Sequence, residues 1–171
     1  MEERGLVVFN SCVYLNIILQ EGLHNQCNDE VDKIMGDESI QGAITPVIIE
    51  EVISRIRKAA EEDDSVINSI RKEVSKELEE RNLNSNLELF FSLIKGFELI
   101  TPKDKKEYHK ISQKLANLRL GPGRNNMDRI NLAISINNKC NNFITTEKNI
   151  HGEKKRIMFE SKDSMNIKLI S

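Results

Sequence analysis

The stretch Gly5-Leu6-Val7-Val8-Phe9-Asn10-Ser11 decides the fold of this 171-residue chain. Its first five residues form a continuously apolar, β-branched run, which is typical of a strand buried on both faces of a parallel sheet. Asn10 and Ser11 interrupt the run, and the apolar segment 12–19 that follows predicts a buried helix. A buried strand that leads directly into a buried helix indicates an α/β fold.

Further strand candidates lie at 43–44, 97–100, 143–145 and 166–170, with helical patterns between them. This alternation predicts a single compact α/β domain over residues 1–171, with a largely parallel sheet of about four to five strands flanked by helices. The helical patterns between about 55 and 95 predict an enlarged helical segment within it.

Several helix boundaries can be predicted from capping residues. Thr45-Pro46 predicts a helix start, with Thr as N-cap and Pro at the first helical position. The acidic run 61–64 and the asparagine-rich run 82–86 predict turns, and Thr101-Pro102 predicts another helix start. Apolar side chains in this region are expected to be buried in the core or, alternatively, against a second copy of the chain or a partner helix: Val66, Ile70, Val74, Leu78, Leu87, Phe90, Phe91 and Ile94.

Composition limits the cellular setting and the class of site. With 39% hydrophobic residues the chain can build a core, and it contains no apolar run long enough for a membrane span. Three cysteines without CxxC spacing argue against a disulfide framework and a zinc finger. We therefore expect a cytoplasmic, reducing environment and no membrane partner.

Charge is divided unevenly along the chain. Residues 1–101 carry 10 Lys/Arg and 20 Asp/Glu, whereas residues 102–171 carry 15 Lys/Arg and 7 Asp/Glu. The basic half favours an anionic partner, of which nucleic acid is the commonest large one. The alternative is that two solvated faces simply differ in sign.

Polar residues stand where ligands gather in an α/β fold, at the carboxyl ends of strands and at helix starts. Asn10 follows the first strand, Glu147 follows the strand at 143–145, Asp128 opens a helix, and Glu51 lies two turns into the helix at Thr45. Several acids without a His or Cys partner favour Mg²⁺ or Mn²⁺.

Each acid also has a structural interpretation when it is taken alone. Asp128 complements a helix N-terminus, Glu51 lies on a solvated face beside Glu50, and Glu147 opens a turn. Other catalytic motifs are absent from the sequence: Ser11 lacks nucleophile-elbow glycines, and the segment 121–124 lacks the Lys-Ser/Thr of a P-loop.

Four blocks of the sequence together resemble the PIN-domain family, in order and approximate spacing. They are Val7-Val8-Phe9-Asn10-Ser11-Cys12-Val13-Tyr14-Leu15, Thr45-Pro46-Val47-Ile48-Ile49-Glu50-Glu51-Val52, Met127-Asp128-Arg129-Ile130-Asn131-Leu132-Ala133-Ile134 and Phe143-Ile144-Thr145-Thr146-Glu147-Lys148-Asn149. The resemblance implies a divalent-metal-dependent ribonuclease, of the toxin–antitoxin or the RNA-processing type. RNA and an antitoxin or other protein are the partners it implies, while the apolar side chains of the helical segment are the reason to expect a possible second copy of the chain.

The resemblance also implies the roles of individual residues. Asn10, Glu51, Asp128 and Glu147 take the catalytic and metal-binding positions, with one or two Mg²⁺ or Mn²⁺ ions. Ser11, Thr145 and Asn149 would support these ligands by hydrogen bonds. Apart from the resemblance, the positions of Arg124, Arg129 and Lys148 beside the acids in the sequence lead us to expect that they contact RNA phosphates.

The chain departs from the family pattern at two of the four positions. Glu147 replaces Asp and keeps the charge, whereas Asn10 replaces Asp and lowers the formal charge of the four positions from −4 to −3. Because Mg²⁺ relies on carboxylate charge, we expect weakened metal binding and impaired or absent cleavage. Asn10 is either natural, in a non-catalytic module that binds nucleic acid or a partner, or an introduced change that silences a nuclease.

Overall fold

The structure is a computed structural model that describes residues 4–67, 72–118, 120, 126–161 and 165–171. Within these ranges, the side chains of 62–67, 72–75, 78, 126 and 158–161 are not described. The helices and strands follow one another along the chain as β1 (Gly5–Phe9), α1 (Ser11–Ile18), α2 (His24–Met35), β2 (Ile40–Ile44), α3 (Pro46–Ile67), α4 (Lys72–Leu93), β3 (Glu98–Leu99), α5 (Lys105–Leu115), α6 (Asn126–Asn137), β4 (Asn142–Thr145), α7 (Lys148–Gly152), α8 (Lys154–Ser161) and β5 (Asn166–Leu169).

The strands form a five-stranded sheet in the order β3-β2-β1-β4-β5, and every neighbouring pair is parallel. The α/β architecture with a parallel sheet flanked by helices, which was predicted from the alternating pattern, is confirmed. The central strand β1 pairs with β2 on one side and with β4 on the other. Strand order therefore reverses beside β1, and ligands bind at such a switch point in open α/β sheets.

The core is built on the face of each helix that is turned toward the sheet. On α3 the side chains of Ile48, Val52 and Ile56 are fully buried, and their spacing of four residues places them on one stripe. On β1 the side chains of Val7, Val8 and Phe9 are at most 1% exposed, as expected for a strand covered on both faces. This packing fixes where the carboxyl end of β1 lies.

Gly42 of β2 accommodates an aromatic ring at close range. A Cβ atom at this position would lie 2.6 Å from the Phe97 ring, which is too close for any side chain. Phe97 itself stacks at a tilt on Phe9, with 6.2 Å between the ring centroids. The glycine thus lets Phe97 pack over the sheet just before β3.

Two turn predictions are wrong. The acidic run 61–64 lies inside α3, and the asparagine-rich run 82–86 lies inside α4. A few residues of modest helix propensity cost only tenths of a kcal/mol each, and packing of α3 against α4 and α1 outweighs that cost. The enlarged helical region therefore contains a pair of long helices.

Two other local predictions differ from the structure. The helix expected at Thr101-Pro102 begins at Lys105 instead, where Asp104 is the N-cap and accepts a hydrogen bond from the Glu107 backbone N–H at 3.0 Å. Phe90 is fully buried as expected, but Phe91 is 51% exposed. The side chains of Val66, Val74 and Leu78, and all of Ile70, lie outside the described residues.

None of the helices in the described ranges combines the length and the apolar character needed to cross a bilayer.

Candidate functional site

The candidate site lies at the switch point, where the carboxyl ends of β1 and β4 are neighbours. Asn10 follows β1 directly, and its backbone N–H donates to the carbonyl of Ile144 in β4 at 2.8 Å. Thr145 is the last residue of β4 and is fully buried. The pairing of these strands therefore brings together two residues that are far apart in the sequence.

The Asn10 side chain faces the site and does not cap its own helix. Asn10 is the N-cap residue of α1, but it makes no side-chain capping bond. Its Nδ2 donates to Oδ1 of Asp128 at 3.3 Å and to Oγ1 of Thr145 at 3.4 Å. The Oδ1 atom of Asn10 is buried and has no partner among the described residues. Position 10 thus supplies donors where the resemblance implies a negative charge.

Asp128 lies in the first turn of α6 and is only 4% exposed. Burial raises the pKa of its carboxyl group from 3.8 to about 6, and the hydrogen bond from Asn10 opposes this rise. Repulsion from the carboxylates of Glu147 and Glu51 raises the pKa further. Carboxylates that influence one another in this way raise each other's pKa when no cation is present.

The two glutamates lie on different parts of the fold. Glu51 lies in the second turn of α3, and its Oε2 atom is buried without a partner among the described residues. Glu147 is half-buried at the N-cap of α7, and its backbone N–H donates to Oγ1 of Thr145 at 3.0 Å. Asn10 therefore contacts Asp128 and Thr145 at the carboxyl ends of β1 and β4, Glu147 follows Thr145 by two residues, and Glu51 lies on α3, which packs against α6.

The donor chemistry at this edge fits a hard divalent cation. The groups are carboxylate and amide oxygens, and two of these oxygens, on Asn10 and Glu51, are buried and lack a hydrogen-bond donor in the described part of the chain. Within the same residues, no three His, Cys, Asp or Glu side chains are grouped closely enough to hold an ion as they stand. The ligand types are present, but the acids are not gathered into a closed cage.

The predicted supporting residues are placed differently from one another. The Thr145 hydroxyl is at the centre of the site, because it contacts the side chains of Asn10 and Cys12 and the backbone of Glu147. Ser11 is buried at the first position of α1, whereas Asn149 is exposed on α7. Thr145 is therefore the one of the three whose described contacts join separate parts of the site.

Cys12 and Asn131 are the site neighbours that sequence reasoning missed. The Cys12 Sγ lies 3.4 Å from Oγ1 of Thr145 and accepts a hydrogen bond from the Thr146 backbone N–H at 3.4 Å. Burial raises the pKa of the Cys12 thiol, which keeps it protonated. Asn131 lies one helical turn after Asp128, and this spacing of three residues is the signal that could have identified it.

The three basic residues that were predicted to contact phosphate differ in how exposed they are. Lys148 is exposed beside Glu147, so its ammonium group is open to a ligand. Arg129 is half-buried, and its Nε–H has no acceptor among the described residues. Arg124 lies outside the described residues, so its role remains a prediction from the sequence.

Comparison with known proteins supports the fold. No protein-family model matches the chain, and no curated protein matches it. Among solved structures, the chain is similar to the crystal structure of VapBC2 from Rickettsia felis bound to a DNA fragment from their promoter. The match has a TM-score of 0.62 at 16% identity and covers 97% of this chain and 99% of the other. The two chains share a fold over nearly their whole lengths.

Proposed function

We propose that this protein is a PIN-like, divalent-cation-dependent ribonuclease whose activity is weakened by Asn10. The observation that carries the proposal is the buried carboxyl group of Asp128, held against the side chain of Asn10 at the switch point of the sheet. The fold shared with the VapBC2 chain supports the PIN-like assignment.

Glu51, Asp128 and Glu147, together with the amide oxygen of Asn10, are the groups that would hold one or two Mg²⁺ or Mn²⁺ ions. Such an ion supplies positive charge against a phosphodiester and lowers the pKa of water. The residues of the chain position the acids: Thr145 fixes Asn10 and the backbone of Glu147 through one hydroxyl group. Asn10 acts against cation binding, because its amide already neutralises part of the Asp128 charge by hydrogen bonding.

Metal binding by the chain as written is the first test. Millimolar Mn²⁺ is expected to raise the melting temperature by about 2–4 °C, which corresponds to about 1 kcal/mol, and EDTA should reverse the change. Asp128→Asn should abolish the shift because it removes a ligand charge. Glu38→Gln is the matched control, since Glu38 is exposed and precedes β2, at the amino ends of the strands and away from the site. Equal shifts in both variants would mean that Mn²⁺ binds elsewhere.

RNA binding by the basic neighbours of the site is the second test. Contacts to phosphate on single-stranded RNA reduce log affinity by about 0.7 per contact for each log unit of salt. Lys148→Ala and Arg129→Ala should each make the salt dependence of log affinity less steep by about 0.7, the value for one phosphate contact. Lys95→Ala is the control, because Lys95 is exposed and precedes β3, at the amino ends of the strands and away from the site. Binding that is independent of salt, or equally affected by all three changes, would refute the placement.

A non-catalytic module that binds nucleic acid or a partner is the second candidate, and the Asn10 contacts favour it. The amide donates to both Asp128 and Thr145, so the site is partly satisfied without a cation. Cleavage of single-stranded RNA after a carboxylate is restored at position 10 distinguishes the candidates. An Asn10→Asp protein that folds and binds Mn²⁺ but cuts no RNA would favour the binding module.

We also propose a protein partner, either an antitoxin or a second copy of the chain. Leu89 and Phe91 on α4 are 39% and 51% exposed, and such large apolar side chains are suited to contact a partner. The solved VapBC2 structure was bound to DNA from their promoter, which supports nucleic acid as a kind of partner. Light scattering of the purified chain, with Phe91→Ser as a comparison, tests self-association through this face.

A further inference from the structure

A buried hydrogen bond joins the two helices that carry Glu51 and Asp128. The Thr45 hydroxyl donates to Oδ1 of Asn131 at 2.6 Å, and both residues are fully buried. Thr45 immediately precedes α3, the helix of Glu51, and Asn131 lies in α6, three residues after Asp128. The bond therefore connects the supports of two acids that come from distant parts of the sequence.

The same hydroxyl group also sets the start of α3. Oγ1 of Thr45 accepts a hydrogen bond from the Ile48 backbone N–H at 3.1 Å, which is the N-cap contact predicted from the sequence. One oxygen atom therefore fixes the first turn of α3 and also forms the Thr45–Asn131 hydrogen bond to α6, which we call the tie between the helices. A variant that loses only the tie can be distinguished by experiment from a variant that also loses the N-cap contact.

Asn131 is an unfavourable choice if the position serves packing alone. Its Nδ2 is buried without an acceptor among the described residues, and an unsatisfied buried donor costs about 1–3 kcal/mol. A leucine of similar size would avoid this cost. The acceptor that Asn131 offers to Thr45 is therefore the property that distinguishes the amide from an apolar residue here.

Helices α3 and α6 pack against each other, with Glu51 in the second turn of α3 and Asp128 in the first turn of α6. A hydrogen bond between these helices limits how far the two acids can move apart. We propose that Thr45 and Asn131 are positioning residues, whose hydrogen bond fixes α3 and α6 relative to each other so that Glu51 and Asp128 can share a divalent cation. Neither residue touches the substrate; they act through the two acids. The inference rests on the proposed function.

The test measures Mn²⁺ affinity by calorimetry on the full chain, in an Asn10→Asp background. Asn131→Leu removes the acceptor but leaves the Thr45 cap, and it should weaken Mn²⁺ binding by about 10- to 100-fold, the usual effect of losing a residue that orients a metal ligand. Thr45→Ser keeps both hydrogen bonds and should preserve the affinity to within about twofold. Thr45→Val should weaken binding as Asn131→Leu does and should also lower the melting temperature, because the cap is lost.

Ser135→Ala is the matched control for a general loss of stability. Its buried hydroxyl donates to the Asn131 carbonyl at 2.7 Å, so the change removes a hydrogen bond within α6 and leaves the tie between helices intact. It should lower the melting temperature and leave Mn²⁺ affinity unchanged.

Three outcomes would overturn the inference. Unchanged Mn²⁺ affinity in folded Asn131→Leu, or in Thr45→Val if the first variant does not fold, would show that the tie does not position the acids. Equal weakening in Ser135→Ala would assign the effect to stability. If the Asn10→Asp protein without further changes binds no Mn²⁺ at all, the proposed function fails, and this inference fails with it.

Discussion

Asn10→Asp is expected to give metal-dependent cleavage of single-stranded RNA at a rate at least about 100-fold above that of the chain as written. The physical reason is local, because position 10 lies against Asp128 at the switch point of the sheet. A carboxylate there adds an anionic ligand and brings the site to four acids. Removing one group that stabilises charge at an active site typically changes the rate by about 10²- to 10³-fold, and the reverse change should act on a similar scale.

The same change should destabilise the protein when no cation is present. The Nδ2 of Asn10 donates to Asp128, and an aspartate would replace this donor with a second carboxylate at about the same place. Loss of the donor and the new repulsion should lower the free energy of unfolding by about 1–3 kcal/mol. Mn²⁺ should restore that loss, so the melting temperature of Asn10→Asp should depend on the cation more strongly than that of the parent.

A double variant controls the cleavage experiment. Asn10→Asp combined with Asp128→Asn has the same formal charge at the four positions as the chain as written, and it should cut no faster than that chain. Cleavage that persists in the double variant, or in the presence of EDTA, would indicate a contaminating nuclease or a mechanism without the cation.

Asp128→Asn in the chain as written is expected to raise the stability of the fold at neutral pH while it removes Mn²⁺ binding. The pKa of Asp128 rises from 3.8 to about 6 on folding, so the folded state holds this proton more tightly than the unfolded chain. The contribution of Asp128 to the free energy of unfolding should therefore fall as pH rises from about 4 to about 7. The neutral amide avoids this loss, and the gain above pH 6 should be about 2 kcal/mol after allowance for screening by solvent.

Urea denaturation at several pH values measures the effect. The parent and Asp128→Asn should have similar stability near pH 4, where Asp128 is protonated in the fold, and should diverge above pH 6. A constant difference at all pH values would show that the change acts through packing. Lower stability of Asp128→Asn than of the parent above pH 6 would show that Asp128 does not carry the raised pKa.

The parts of the fold that could be predicted from the sequence depend on local signals. The apolar run of β1 and the Thr45-Pro46 cap each act within a few residues, and the structure contains both features. The turns expected within α3 and α4 failed because local propensity there is weak. Burial of Phe90 and packing of α4 against α1 and α3 decide the outcome, and these contacts have no local signature.

In the candidate site, too, features with a local signal could be predicted and contacts between distant residues could not. The order of the blocks selected Asn10, Glu51, Asp128 and Glu147, because polar residues at strand ends and helix starts can be recognised along the chain. Contacts at long range could not be found in this way. The hydrogen bond between Thr45 and Asn131 spans 86 residues, and the approach of Cys12 to Thr145 spans 133 residues. Such pairs are determined by strand order, which a single sequence does not specify.

The strand order also controls when the site can exist during synthesis. β1 leaves the ribosome before β4, and the two can meet only after about 135 further residues have been made. Domains generally fold as units and parallel pairing is slow, so the contact of Asn10 with Thr145 cannot form until β4 has been made. A nascent chain cut short before β4 would carry Asn10, Glu51 and Asp128 but would lack Thr145 and Glu147. A site built on this order receives Glu147 last, after Asn10, Glu51 and Asp128 have all been made.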